Sequence, residues 1–193
     1  MLDFLNFTTE QIEIFLLISF RAAGLFIVAP VIGHQSIPIR IKAAFAILLA
    51  MLLIPVAGQQ TLPQIDSIWL LAGLAVKEMM VGFIIGFFFA LLFIGVRIGG
   101  SIIGYQIGLI IASILDPETN SNESMVGEFM YILATLIFLA IDGHHYIISA
   151  FADSYKAVPI GVFNVNGPAG ELIIRYTAMA FTIAFKLGAP VII

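Results

Sequence analysis

The chain has 193 residues, of which 61% are hydrophobic and 10% charged, with a formal net charge of −4 and no cysteine. A soluble domain carries about 25% charged and about 45–50% apolar residues, so this composition describes a membrane protein or the buried part of a membrane-bound assembly and excludes an ordinary soluble domain. Mild acidity without a basic run excludes nucleic acid as a partner, and the lack of cysteine excludes disulfides, thiolate metal sites and cysteine nucleophiles.

Apolar segments of about 18 residues or more are candidate membrane spans. The first covers residues 8–32, with Thr8 and Gln11 spaced as a capping box. No basic region or small-residue cleavage site precedes or ends it, so it is expected to stay in the mature protein. After Gly33-His34-Gln35-Ser36, Pro38 is placed to open a second segment over residues 38–57, which Pro55 ends or kinks. Residues 58–66 are a polar connection. Ser67 is a suitable N-cap for a third segment that runs as far as Leu115, longer than one crossing, and the pair Gly99-Gly100 is the expected break or hairpin point. A fourth segment covers residues 125–141, and Asp142-Gly143-His144-His145 interrupts it before a short apolar piece reaches Val158. A fifth begins at Glu171, whose charge suits a helix N-terminus. The chain stops inside an apolar run at Pro190-Val191-Ile192-Ile193, so the protein is expected to continue. Apolar runs are too long for strands and clean alternation is missing. The fold class is therefore all-α, a single membrane domain over residues 1–193.

Glycines recur at four-residue spacing: Gly82 and Gly86, Gly95 and Gly99, then Gly100, Gly104 and Gly108. This spacing lines one helical face and lets backbones approach closely. The ladder ends in Leu115-Asp116-Pro117-Glu118-Thr119-Asn120, so a packed helix is expected to open into a loop.

Nearly every apolar segment carries an internal charge: Arg21, Lys77 with Glu78, Arg97, Arg175 and Lys186. A charge at the bilayer centre costs at least about 2.5–3.5 kcal/mol on insertion scales. The helices are therefore expected to face protein inside an oligomer, with Arg21, Lys77, Glu78 and Arg97 paired in its interior. Lys77 and Glu78 diverge by about 100° on a helix and do not pair with each other. They form either inter-subunit ion pairs, a proton-relay site, or a structural pair that fixes helix register.

Adjacent His144 and His145 point to different helix faces and have no third ligand at metal spacing, which favours a structural role. Asp116, Glu118, Asn120 and Asn122 imitate a calcium loop, but Ser121 and Gly127 occupy the positions that need glycine and glutamate. No Walker A, GxGxxG or HExxH pattern is present, so neither enzyme, cofactor nor metal site is expected.

Several blocks taken together carry a family resemblance. Arg21-Ala22-Ala23-Gly24-Leu25-Phe26, Ala29-Pro30 and Ile37-Pro38-Ile39-Arg40-Ile41-Lys42 resemble the N-terminal signature of the FliR family, whose injectisome counterpart is SctT. The block from Gly99 through Ser101, Gly104, Tyr105, Gln106 and Gly108 to Leu115-Asp116-Pro117 is similar to that family's central motif. Asp142-Gly143-His144-His145 with Pro159-Ile160-Gly161, and Ala189-Pro190, resemble later blocks, although the family more often has Asn before the Gly-His.

The resemblance implies bent helical hairpins in a hetero-oligomeric type III export gate of the bacterial inner membrane, at the flagellar basal body. The implied partners are FliP-like and FliQ-like subunits, FlhB-like and FlhA-like subunits, membrane lipid and unfolded export substrates. The family's central loop acts as a pore plug. Carried over, it covers residues 106–124, with Gln106, Ile107, Ile110, Ile111, Ile114, Leu115, Asp116 and Pro117 at the gate. A competing reading is a secondary transporter with Lys77, Glu78 and Arg97 as coupling site. It needs an internal repeat, and the two glycine ladders are not flanked by matching segments.

Overall fold

In a computed structural model, residues 9–34, 37–57, 65, 67–108 and 124–163 are described. Every element among them is a helix: α1 (Thr9–Val28), α2 (Ile39–Ala57), α3 (Ile68–Gln106), α4 (Met125–Ala140) and α5 (Gly143–Ala157). Two are long and apolar enough to cross a membrane, α1 over Gln11–Val28 and α3 over Ile68–Gln106. Residues 1–8, with Thr8 of the expected capping box, and the segment from Glu171 lie outside the described residues.

Local chemistry sets the helix ends. α1 stops at Val28, short of the expected residue 32, because Pro30 disfavours the helical region in the residue before it. The chain then turns around Val31 at φ 71, where the Ile32 amide donates to the Pro30 carbonyl at 2.9 Å. A positive φ at a β-branched residue is strained. The Gly33 amide returns to the Ala29 carbonyl at 2.7 Å, and a Cβ on Gly33 would stand 2.5 Å from that same oxygen. Lys42 of α2 reaches back and donates to the Gly33 carbonyl at 2.8 Å, so a cation ties α2 to the turn that follows α1.

At α2 the Pro38 carbonyl accepts from Ile41 and Lys42 at 3.0 and 3.3 Å. The helix ends at Ala57, as expected, with Pro55 in its last turn. Ser67 caps α3: its carbonyl accepts from Leu70 and Leu71 and its hydroxyl from the Trp69 amide at 3.3 Å.

The expected break at Gly99-Gly100 does not occur. α3 runs through both glycines to Gln106 and closes at Gly108, whose φ of 75 is the left-handed conformation of a helix C-terminal glycine. Gly100 stays helical because α4 packs on it: a Cβ there would stand 2.9 Å from the Gly127 Cα. Ser124 begins α4, its hydroxyl accepting from the Gly127 amide at 3.4 Å and its carbonyl from Glu128 at 3.0 Å. Replacing Ser124 with alanine is expected to cost about 0.5–1 kcal/mol, read as faster amide exchange in the first turn of α4. Asp142, at φ 57, separates α4 from α5.

The helices form two compact units. The first contains α1, α2, α3 up to Phe87, and α5 from His145. Its core is Leu17, Ile18, Ala22 and Leu25 of α1, Leu74, Ala75 and Val81 of α3, and Phe151 and Tyr155 of α5. α1 and α3 run parallel, since Gly82 of α3 sits against Arg21 and Leu25 and Gly86 against Leu25 and Ala29. The second unit contains the rest of α3 and α4, an antiparallel pair. Gly100 and Gly104 of α3 meet Gly127, Val126 and Ser124 at one end. Phe93 packs edge-on to Tyr131 and Phe138, with centroids 5.8 and 5.3 Å away. Beside these rings the pair opens into an apolar groove lined by Leu92, Val96, Ala134, Ile137 and Ile141.

Candidate functional site

The charged residues inside the apolar helices form two arrangements. In the first unit, Arg21 and Glu78 are both wholly buried, and Nε of Arg21 donates to Oε2 of Glu78 at 2.5 Å. The rest of the guanidinium is also used. Nη1 donates to the Ser154 hydroxyl at 3.0 Å and Nη2 to the Val158 carbonyl at 3.1 Å. The guanidinium carbon lies 4.1 Å from the centre of the Tyr155 ring, a cation–π contact that strengthens away from water. The second oxygen of Glu78 accepts from the Gly161 amide at 2.8 Å, and the Ser154 hydroxyl donates on to the Phe151 carbonyl at 2.6 Å.

One ion pair therefore ties together α1, α3, α5 and the turn at Val158–Gly161. Planar geometry explains the choice of arginine, since its donors serve a carboxylate, a hydroxyl and a carbonyl at once. Both charges are satisfied by fixed partners, which suits a clamp and leaves no open position for a relayed proton.

In the second unit, Arg97 pairs with Glu128 at 3.2 Å, with side chains 37% and 41% exposed. The Arg97 guanidinium lies 5.8 Å from the Tyr131 ring centre, and its carbonyl accepts from the Ser101 hydroxyl at 2.9 Å. At this exposure in water the pair contributes about 1 kcal/mol or less. Lys77 is exposed. Within the first unit Glu78 is held by Arg21 and Gly161 and Lys77 lies on the exposed face of α3; within the second, Arg97 is held by Glu128.

The glycines divide by role. Gly82 and Gly86, together with Gly24, admit the backbone contact of α1 with α3. Gly100 and Gly104 admit α4, Gly95 is buried, a Cβ on Gly99 would meet nothing within 4 Å, and Gly108 ends α3. Of the expected plug, Gln106 is the exposed last residue of α3 and Ile107 is exposed in the turn beyond it. Ile110, Ile111, Ile114, Leu115, Asp116 and Pro117 lie outside the described residues. The flanks of that loop are close together, since a Cβ on Gly104 would nearly touch the Ser124 hydroxyl.

Ser154, Tyr155 and the Gly161 amide were not singled out by the sequence. The only signal was the position of Gly161 in Pro159-Ile160-Gly161, just past an apolar piece.

The family model for "Bacterial export proteins, family 1" matches residues 12–193. The chain is 29% identical over 192 residues to the flagellar biosynthetic protein FliR of Bacillus subtilis, covering 97% of this chain and 73% of the relative. It is 32% identical over 174 residues to FliR of Pectobacterium carotovorum, covering 89% and 65%. It is 30% identical over 193 residues to FliR of Aquifex aeolicus, covering 96% and 72%. The chain thus spans about two thirds to three quarters of the length of these relatives. With one family model matched from the first turns of α1 onward, the chain belongs to the bacterial export proteins, family 1.

Proposed function

We propose that this chain is a non-enzymatic subunit of the flagellar type III export gate, helping to form and plug the inner-membrane pore through which unfolded substrates pass. The observation that carries the reading is family membership over residues 12–193, with relatives described as flagellar biosynthetic proteins. Its partners are FliP-like and FliQ-like subunits, with FlhB-like and FlhA-like subunits alongside, at the flagellar basal body. One feature supports an assembled rather than solitary chain: every described helix exposes large apolar side chains.

The plug covers residues 106–124. Support comes from its stem: α3 closes at Gly108 and α4 opens at Ser124, and the glycine contacts draw these ends together. Apolar side chains in a narrow pore block ions by dewetting. Deleting residues 110–120 is expected to raise ion leak through the assembled gate, measured as conductance in planar bilayers. Unchanged conductance with normal assembly would refute the plug. Disrupting the chain should abolish flagellar protein export while leaving general secretion intact.

A further inference from the structure

α5 differs from the other described helices in what it turns outward. At about 100° per residue, His145, Tyr146, Ser149, Asp153 and Lys156 fall within one arc of about 100°, and all five are exposed. The opposite arc holds Ile147, Phe151 and Tyr155, all buried, and Ser154, which binds Arg21. An apolar stripe inward with a polar stripe outward is the pattern of a helix on a water-facing surface. The outward faces of the other described helices are dominated by large apolar groups: Phe20 on α1, Leu48 and Leu52 on α2, Val76 and Met80 on α3, and Leu136 on α4.

The centre of the arc is poorly suited to being covered. Asp153 and Lys156 pair at 2.8 Å, with side chains 66% and 78% exposed. A protein surface laid over them would desolvate two charges, and their mutual attraction alone does not repay that loss. The buried pair on the inner side of α5 shows what cover requires. There Arg21 also donates to the Ser154 hydroxyl and the Val158 carbonyl, and Glu78 also accepts from the Gly161 amide. Acyl chains are excluded more strictly, since a charge left open to the hydrocarbon layer is costly. Ser149, between these charges and His145, adds a hydroxyl and little apolar area.

We propose that the outer arc of α5 borders a water-filled space in the assembled gate and is the aqueous wall of this chain. This placement rests on the reading of the chain as a gate subunit and adds which of its surfaces water reaches. Phe151 and Tyr155, packed edge to face with ring centres 5.5 Å apart, then lie between that water and the Arg21–Glu78 pair. They hold the pair in the low dielectric where its hydrogen bonds are strongest.

The chain has no cysteine, so single thiols can be introduced without further changes to it. Ser149→Cys, Asp153→Cys and Lys156→Cys sample the arc without touching the buried clamp. Leu48→Cys on α2 and Leu136→Cys on α4 sample apolar outward faces. The sample is the gate assembled with its partner subunits in lipid nanodiscs, and the probe is a charged, membrane-impermeant methanethiosulfonate. The thiolate is the reacting form and apolar surroundings suppress it, so modification at 149, 153 and 156 is expected to be at least about tenfold faster than at 48 and 136. Rates on the arc as slow as those at 48 and 136 would overturn the placement, because a partner would then cover α5 too, and would leave the gate reading intact. Fast modification at 48 and 136 as well would show a chain that no assembly covers, which removes the gate reading and the placement with it.

Discussion

Replacing Arg21 with methionine is expected to destabilise the first unit by about 3–5 kcal/mol, the range for removing one partner of a buried ion pair. The loss arises from what remains. Glu78 would stay fully buried with only the Gly161 amide as a partner, while Ser154, Val158 and Tyr155 would lose the cation that joins them. Glu78→Gln tests the same clamp from the other side. It keeps the shape and an oxygen for Gly161, yet leaves the guanidinium uncompensated, and is expected to fall in the same range. The decisive measurement is the double replacement Arg21→Met with Glu78→Leu. Removing both charges also removes the cost of burying them, so the double variant should recover most of the single-variant loss. Thermal unfolding of the purified gate, with steady-state protein level as a check, reads all three. Additive losses would show that the pair is not the clamp.

Helix positions followed from apolar run length, and Ser67 and Ser124 mark helix starts because each hydroxyl accepts a first-turn amide. The second segment ends at Ala57 as expected, with Pro55 in its last turn, but the break at Gly99-Gly100 was misplaced. These glycines are breakers by intrinsic propensity, yet Gly100 is compensated by the approach of Gly127. Propensity describes a residue alone, whereas close packing needs to know which helix lies beside it. The charges show the same limit. Internal charges in apolar segments could be read as paired, but not which pairs form: Arg21 and Glu78 are 57 positions apart, and their other ligands come from a helix end and a turn later still. Lys77 differs from Glu78 by one step around α3, and that step separates the exposed face from the core.

Gly82→Ala is expected to be among the most damaging single-atom additions in the chain. The new Cβ would overlap the Arg21 carbonyl oxygen and stand 2.8 Å from its carbon and 2.9 Å from the Leu25 amide nitrogen. These are backbone atoms inside a helix, so no side-chain rotation relieves the clash and α1 must move away from α3. Overpacking alone costs about 1–3 kcal/mol. The displaced residue is also Arg21, so the shift lengthens the bond to Glu78 and opens the clamp. Alanine regains about 1 kcal/mol of helix propensity over glycine, too little to offset both effects, and a net loss of about 3 kcal/mol is expected. Gly99→Ala is the control: nothing lies within 4 Å of its Cβ, so in the isolated chain only the propensity gain remains, up to about 1 kcal/mol. Thermal unfolding of the two variants should move in opposite directions, and equal shifts would refute the close contact of α1 with α3. Combining Gly82→Ala with Arg21→Met should cost less than the sum of the single losses, because a clamp already opened has little left to lose. Repeating the Gly99 measurement in the assembled gate separates two sources of constraint. A variant that is stabilised alone but weakened in the assembly would identify Gly99 as a seat for a neighbouring subunit's helix.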